Sequence, residues 1–263
     1  MAQPSTDNYF IGSGILYFRE IDETDSTSDL GELDLGNCVD FSLDLEVDQA
    51  EHVNKRSGIG VVDKRVPTKL SGTGTIVLDE ITQENLALAL YGTKSTLAQA
   101  AGTHTENVVA KLGRWMKMTY RSISNVVIAG YTEGVDFEVD EDTGRVYITP
   151  AAQGGNITAD EALVVQYAHA VVSLPTVQML GENKILGFLR FIGDPPSGPI
   201  LEVEVWKASL VPTGSISFIS DDWTTLTLNL TMENDETNHP DEPYCRIIVR
   251  GFVGASTTSS TTS

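Results

Sequence analysis

The chain has 263 residues and a formal net charge of −20, from 17 basic and 37 acidic side chains. That balance argues against a protein that grips nucleic acid or an anionic membrane through a basic surface, and no apolar stretch approaches the ~20 residues of a membrane span. With 41 % apolar residues the composition is that of an ordinary globular protein, long enough to bury a core without staples; Cys38 and Cys245 make neither a disulfide framework nor a zinc spacing, which fits a reducing compartment.

The N-terminus, Met1-Ala2-Gln3-Pro4-Ser5-Thr6-Asp7, has no basic start and no apolar h-region, so no signal peptide is expected. Residues 1–12 read as a loose arm. The dominant period after them is two. Gly14–Glu20 is a strand candidate, and Asp40 to Asp48 alternates without a break. Phe41, Leu43, Leu45 and Val47 share one face, and Asp40, Ser42, Asp44, Glu46 and Asp48 share the other. A long loop is expected over Asp48–Lys69, with Gly58, Gly60 and Pro67. It gathers Lys55, Arg56, Lys64, Arg65 and Lys69, five of the seventeen basic residues, whereas Met1–Glu51 carries thirteen acids against Arg19 alone. Charge is therefore polarised along the chain, and a loop of this length is more often functional than idle.

Leu70–Asp79 reads as the next strand, and Ile81–Tyr91 as a helix. Thr82 is its expected N-cap, Glu84 sits in the first turn, and Ile81 and Leu86 have the spacing of a hydrophobic staple. Gly92 is placed at C′, and Leu86, Ala89 and Leu90 are expected to face a sheet. A β-rich insertion follows over 102–175. Its strand candidates are Trp115–Tyr120, Phe137–Val139, Arg145–Thr149 and Leu163–Ala168, with a turn at Asp142-Thr143-Gly144. Beyond it come Ile185–Phe191, Leu201–Val205, Ile216–Ser220, Thr225–Thr231 and Arg246–Phe252. Alternation of this kind marks antiparallel sheets with one wet face. Ser256–Ser263 is only serine and threonine and cannot bury apolar surface, so 254–263 reads as an adaptable tail.

No residue set assigns catalysis, a cofactor or a metal. His52, His104, His169 and His239 are scattered, and none pairs with a cysteine at ligand spacing. No G-x-S-x-G elbow appears. Gly92-Thr93-Lys94-Ser95 lacks the earlier P-loop glycine, and Gly58-Ile59-Gly60 lacks the third glycine of a dinucleotide fingerprint. The acids Asp136, Asp140, Glu141 and Asp142 miss the calcium-loop pattern, and Asp221-Asp222 and Asp235-Glu236 select no catalytic pair. The chain reads as a non-enzyme without cofactors.

Three stretches carry a resemblance. The first is Gly14-Ile15-Leu16-Tyr17-Phe18, followed by Leu35–Leu43 and Glu51–Gly58. The second is Gly72-Thr73-Gly74-Thr75-Ile76-Val77-Leu78-Asp79-Glu80-Ile81-Thr82-Gln83-Glu84-Asn85-Leu86, running to Gly92. The third comprises Ile200–Lys207, Asp221–Leu228 and the closing strand near Arg246–Gly251. Over roughly residues 10–92 and 184–253 the chain resembles the tail tube proteins (major tail proteins) of tailed bacteriophages. The resemblance implies a mainly β protein: an antiparallel β-sandwich with one flanking short α-helix, its sheet completed by oligomerisation into a tube. It implies stacked hexameric rings in the virion tail, assembled in the host cytoplasm. The tube would enclose the tape measure protein, pass DNA without binding it, and meet tail terminator and baseplate or tail-tip proteins.

On that reading 1–12 is an arm, 13–101 and 176–253 form the sandwich, 102–175 is an insertion or decoration, and 254–263 is a tail. A DNA conduit should repel phosphate. Asp40, Ser42, Asp44, Glu46 and Asp48 are therefore candidate lumen-facing residues, with Ser71, Thr73 and Thr75 on a partner strand. Lys55, Arg56, Lys64, Arg65 and Lys69 are the candidate inter-ring contact loop, since subunits at −20 each need local complementarity to stack. Joining edges around a ring would also protect long edge strands. The alternative is a carbohydrate- or host-binding β-sandwich module of a virion.

Overall fold

The computed structural model describes residues 6–21, 31–56 and 58–253. The expected tail 254–263 and residues 1–5 of the expected arm lie outside them. Along the chain run β1 (Gly14–Glu20), β2 (Leu33–Asp34), β3 (Cys38–Asn54), β4 (Val61–Leu78), α1 (Gln83–Ala89) and β5 (Thr93–Gln99). Then come β6 (Gly102–Val109), β7 (Trp115–Lys117), β8 (Ile123–Ile128), β9 (Phe137–Asp140), β10 (Arg145–Ile148), β11 (Ala162–His169) and β12 (Val172–Gln178). β13 (Ile185–Gly193), β14 (Pro199–Thr213), β15 (Leu226–Met232) and β16 (Cys245–Phe252) complete the set. The protein is mainly β, with antiparallel sheets and one α-helix.

The chain divides into two compact units, residues 1–94 with 177–263, and residues 95–176. In the first, one sheet runs β2-β1-β13-β14-β15-β4-β3, and β16 pairs with the first half of β14. The sheet folds over on itself into two layers. Leu16 and Phe18 of β1 share a buried cluster with Ile76 and Leu78 of β4 and with Leu226, Leu228 and Leu230 of β15, and the rings of Phe41 and Phe191 lie 5.7 Å apart. Alternation produces this directly. Every second residue of β15 is buried, while Thr227, Asn229 and Thr231 point away from the core. On β4 the core side is Gly72, Gly74, Ile76 and Leu78. A Cβ on Gly74 would stand 2.5 Å from the Ser42 carbonyl oxygen, so glycine permits the close approach of β3.

The helix is shorter than expected. Thr82 caps it, its Oγ1 accepting from the Asn85 N–H at 3.0 Å. It ends at Leu90, and the left-handed residue is Tyr91 (φ 47) rather than Gly92. Gly92 has a different role: a Cβ there would meet Val177 Cγ1 at 2.3 Å. Of the expected face, Ala89 is buried, whereas Leu86 and Leu90 are half-buried and Asn85, Ala87 and Leu88 fill the buried side instead. Ile81, the expected staple, is exposed.

The second unit is a small sandwich of two three-stranded sheets, β7-β10-β9 and β6-β11-β8. Val146 and Ile148 from one sheet and Val165 and Tyr167 from the other enter a single core. The turn at Asp142-Thr143-Gly144 joins β9 to β10, with Gly144 at φ 67. The boundaries at 94/95 and 176/177 fall inside β5 and β12, which form a two-stranded sheet, rather than at Gly102 and Pro175.

Candidate functional site

The expected loop 48–69 is not a loop. Asp48, Ala50, Glu51, His52, Val53 and Asn54 of β3 face Lys69, Val66, Arg65, Lys64, Val62 and Val61 of β4, and the true turn is 55–60. The period-two pattern of β3 simply continues, and Val61, Val62 and Val66 supply the β-branched partners. Both faces of this segment are exposed, so no buried stripe marked it in the sequence. The core contribution of β3 ends at Leu43; Leu45 and Val47 are exposed. From residue 44 to 54 the arm is 11 residues long, or about 35 Å at ~3.3 Å per residue.

The basic residues are accordingly distributed along a hairpin. Lys55 and Arg56 lie in the turn, and Lys64, Arg65 and Lys69 lie on β4. Acids on the same arm face part of this charge: Arg65 Nε is 2.8 Å from Glu51 Oε1, and Lys69 is opposite Asp48; beside them the His52 ring meets Asp63, with Nδ1 2.6 Å from Oδ1. The arm is a mixed-charge strip rather than a purely basic one.

The structure brings the candidate lumen residues together. Ser42 pairs with Thr75, Asp44 with Thr73, and Glu46 with Ser71, while Asp40 faces Val77 across a register shift. β15 extends the face, because Thr75 faces Asn229 and Thr73 faces Thr231. The result is a polar surface three strands wide, acidic on β3 and hydroxyl-rich or amide-bearing on β4 and β15. β3 is the last strand of the sheet, and among the described residues no other strand pairs with its outer edge.

A second surface was missed. Ile216–Ser220, expected as a strand, lies in an irregular connection between β14 and β15, closed by a 2.7 Å bond from Thr224 Oγ1 to the Ser217 carbonyl. It presents Phe218 (82 % exposed), Ile219 (99 %) and Trp223 (94 %) to solvent. The signal was the adjacent Phe218-Ile219 pair, which breaks the period of two. Part of the expected arm, residues 6–12, is tied down: Ile11 N–H donates to the Ser197 carbonyl at 3.4 Å, and Ser197 Oγ to that of Tyr9 at 3.2 Å.

A cleft of about 370 Å³ is lined by Leu16, Phe41, Leu43, Phe191, Leu201 and Val203, with Cys38 and Asp40 at its side. Burial pushes the Cys38 thiol up, away from the thiolate a nucleophile needs. Burial also opposes ionisation of Glu106, but hydrogen bonds from Tyr167 and Thr119 outweigh it and hold the carboxyl below its usual range. Among the described residues no three His, Cys, Asp or Glu side chains converge as a metal site requires.

The family described as "Protein of unknown function UCP028589" matches residues 9–248, and the chain belongs to that family. No curated protein matches the chain.

Proposed function

We propose that this family member is a virion structural protein, the subunit of a phage tail tube built from stacked hexameric rings. The observation that carries the reading is the β3–β4 arm. Seventeen- and eighteen-residue strands run far past the core they start from, and among the described residues their outer half is exposed on both faces. An isolated two-stranded ribbon is marginal in water, so an arm of this length calls for a surface to lie on. A second copy supplies one, with Lys55 and Arg56 in the turn and Lys64, Arg65 and Lys69 along β4 meeting acids of a neighbouring ring.

Three further features support the reading. The open edge of β3 is a template for pairing with another chain. Phe218, Ile219 and Trp223 expose three large apolar side chains on one connection, the kind of side chain that interfaces bury. The face of Asp40, Ser42, Asp44, Glu46, Asp48, Ser71, Thr73 and Thr75 suits a wall along which DNA slides. It carries acids and hydroxyls and no arginine, with Lys69 opposite Asp48 at its far end. On this reading the lumen holds the tape measure protein before ejection, and the ends of the tube meet tail terminator and baseplate or tail-tip proteins.

The test compares sedimentation of wild type with two double variants. Arg65 is engaged by Glu51, so Lys64→Glu/Arg65→Glu perturbs the arm itself, whereas Lys55→Glu/Arg56→Glu alters turn residues outside the strand pairing. Wild type should sediment as large assemblies, and both variants should remain small and folded by circular dichroism. Normal assemblies from the turn variant would contradict the role given to the arm.

A further inference from the structure

The outer face of β7-β10-β9 in the second unit is unlike the rest of that unit's surface. Met116, Val146, Ile148 and Phe137 point into the core, so their neighbours point out. Register then fixes which groups meet: Tyr147 is opposite Trp115 and Glu138, and Arg145 is opposite Lys117 and Asp140. Trp115 is 44 % exposed, the most exposed aromatic side chain of the unit's core sheets. Its ring centroid is 5.4 Å from that of Tyr147, and Arg145 Cζ lies 5.1 Å from the centre of the Trp115 ring. The guanidinium is itself fixed: it donates to Asp140 and, at 2.7 Å, to Thr143 Oγ1. Tyr147 and the anchored guanidinium both pack on the indole, which still leaves a large part of its surface wet.

We infer that this face is a saccharide-binding platform, on which the Trp115 indole stacks against one face of a pyranose while Tyr147, Arg145, Lys117, Glu138 and Asp140 meet its hydroxyls. The chemistry selects the ligand. A flat aromatic surface matches the axial C–H groups of a pyranose whose hydroxyls are equatorial, and a rim with donors and acceptors of both charge signs matches a ring of hydroxyls that donate and accept. An apolar peptide would take that charged rim out of water without offering it hydrogen-bond partners. β-linked glucose and N-acetylglucosamine chains have this shape. The site is open and shallow, so affinity should fall between roughly 10 μM and 1 mM. The proposal stands apart from tube formation, because it concerns one face of the second unit.

The experiment titrates the full-length protein with cellohexaose and with chitohexaose by calorimetry. Wild type should bind at least one of them saturably. Trp115→Ala should weaken binding by about tenfold or more, as loss of a central aromatic anchor does. Trp115→Phe, which keeps a ring, should retain part of it, and Trp223→Ala, which removes an exposed tryptophan elsewhere, should bind as wild type. Absence of binding by wild type at millimolar sugar would overturn the proposal, as would Trp115→Ala binding unchanged or Trp223→Ala losing binding equally. Protection of Trp115 from a soluble quencher on self-association without sugar would also overturn it, assigning the face to a contact between copies. Each of these results can occur whether or not tubes form.

Discussion

Asn85 holds the entry to the helix together from inside. It is almost completely buried, and its Nδ2 donates to the Leu35 carbonyl at 2.8 Å and to the Glu80 carbonyl at 2.9 Å. Its backbone N–H is the one Thr82 caps. One side chain therefore joins the segment before β3, the turn after β4 and the first turn of α1. Nearby, Asn37 donates to Asp79 Oδ1 at 2.7 Å, and its N–H to Glu80 Oε2 at 3.2 Å. Asn85→Ala leaves two carbonyl groups without their partner, and should cost about 1–3 kcal/mol. Denaturant unfolding should show a lower midpoint at unchanged slope. A midpoint equal to that of wild type would mean that water replaces the amide. The sequence showed Asn85 only as part of a Glu-Asn-Leu run at a helix start; its burial depends on Leu35, fifty residues earlier, and no local pattern reports that distance.

At the scale of elements, the proposed function divides the β3–β4 hairpin into a base that folds with the core and an outer half reserved for assembly. Ile76, Leu78, Phe41 and Leu43 anchor its base in the core, and the outer half contributes no residue to that cluster. Replacing 48–69 by Asn-Gly, a favoured two-residue hairpin turn, should leave the melting temperature within a few degrees of wild type, while assembly is lost. A large fall in melting temperature would show that the arm is part of the fold. The base of the hairpin was legible, because alternation with one buried face is the strongest local signal a strand gives. The outer half was not, because two wet faces and a concentration of charge look the same in a loop as in a ribbon. The same limit explains Trp115 and Tyr147. Each sits in an unremarkable short strand, and only the register of β7 on β10 makes them neighbours. The helix was visible through Thr82 and its following residues, but its last turn was overread because Tyr91, not glycine, takes the left-handed conformation.

For the whole molecule the question is what balances a net charge of −20. A net charge of that size opposes association of single subunits, and on the proposed reading six in a ring would bring their acids close. Attraction must therefore be local and cover little charge. The chain offers apolar side chains at Phe218, Ile219 and Trp223, an open strand edge on β3, and cations placed on an arm that reaches away from its own core. These are three kinds of contact; among the described residues the β3 edge has no partner strand and the three apolar side chains stay exposed, while the arm's cations are only partly engaged by its own acids. Electron microscopy of the purified full-length protein at high concentration tests this most directly. The account predicts hollow rings and tubes with sixfold symmetry along an open axis; a field of separate, single subunits that persists as concentration rises would contradict it.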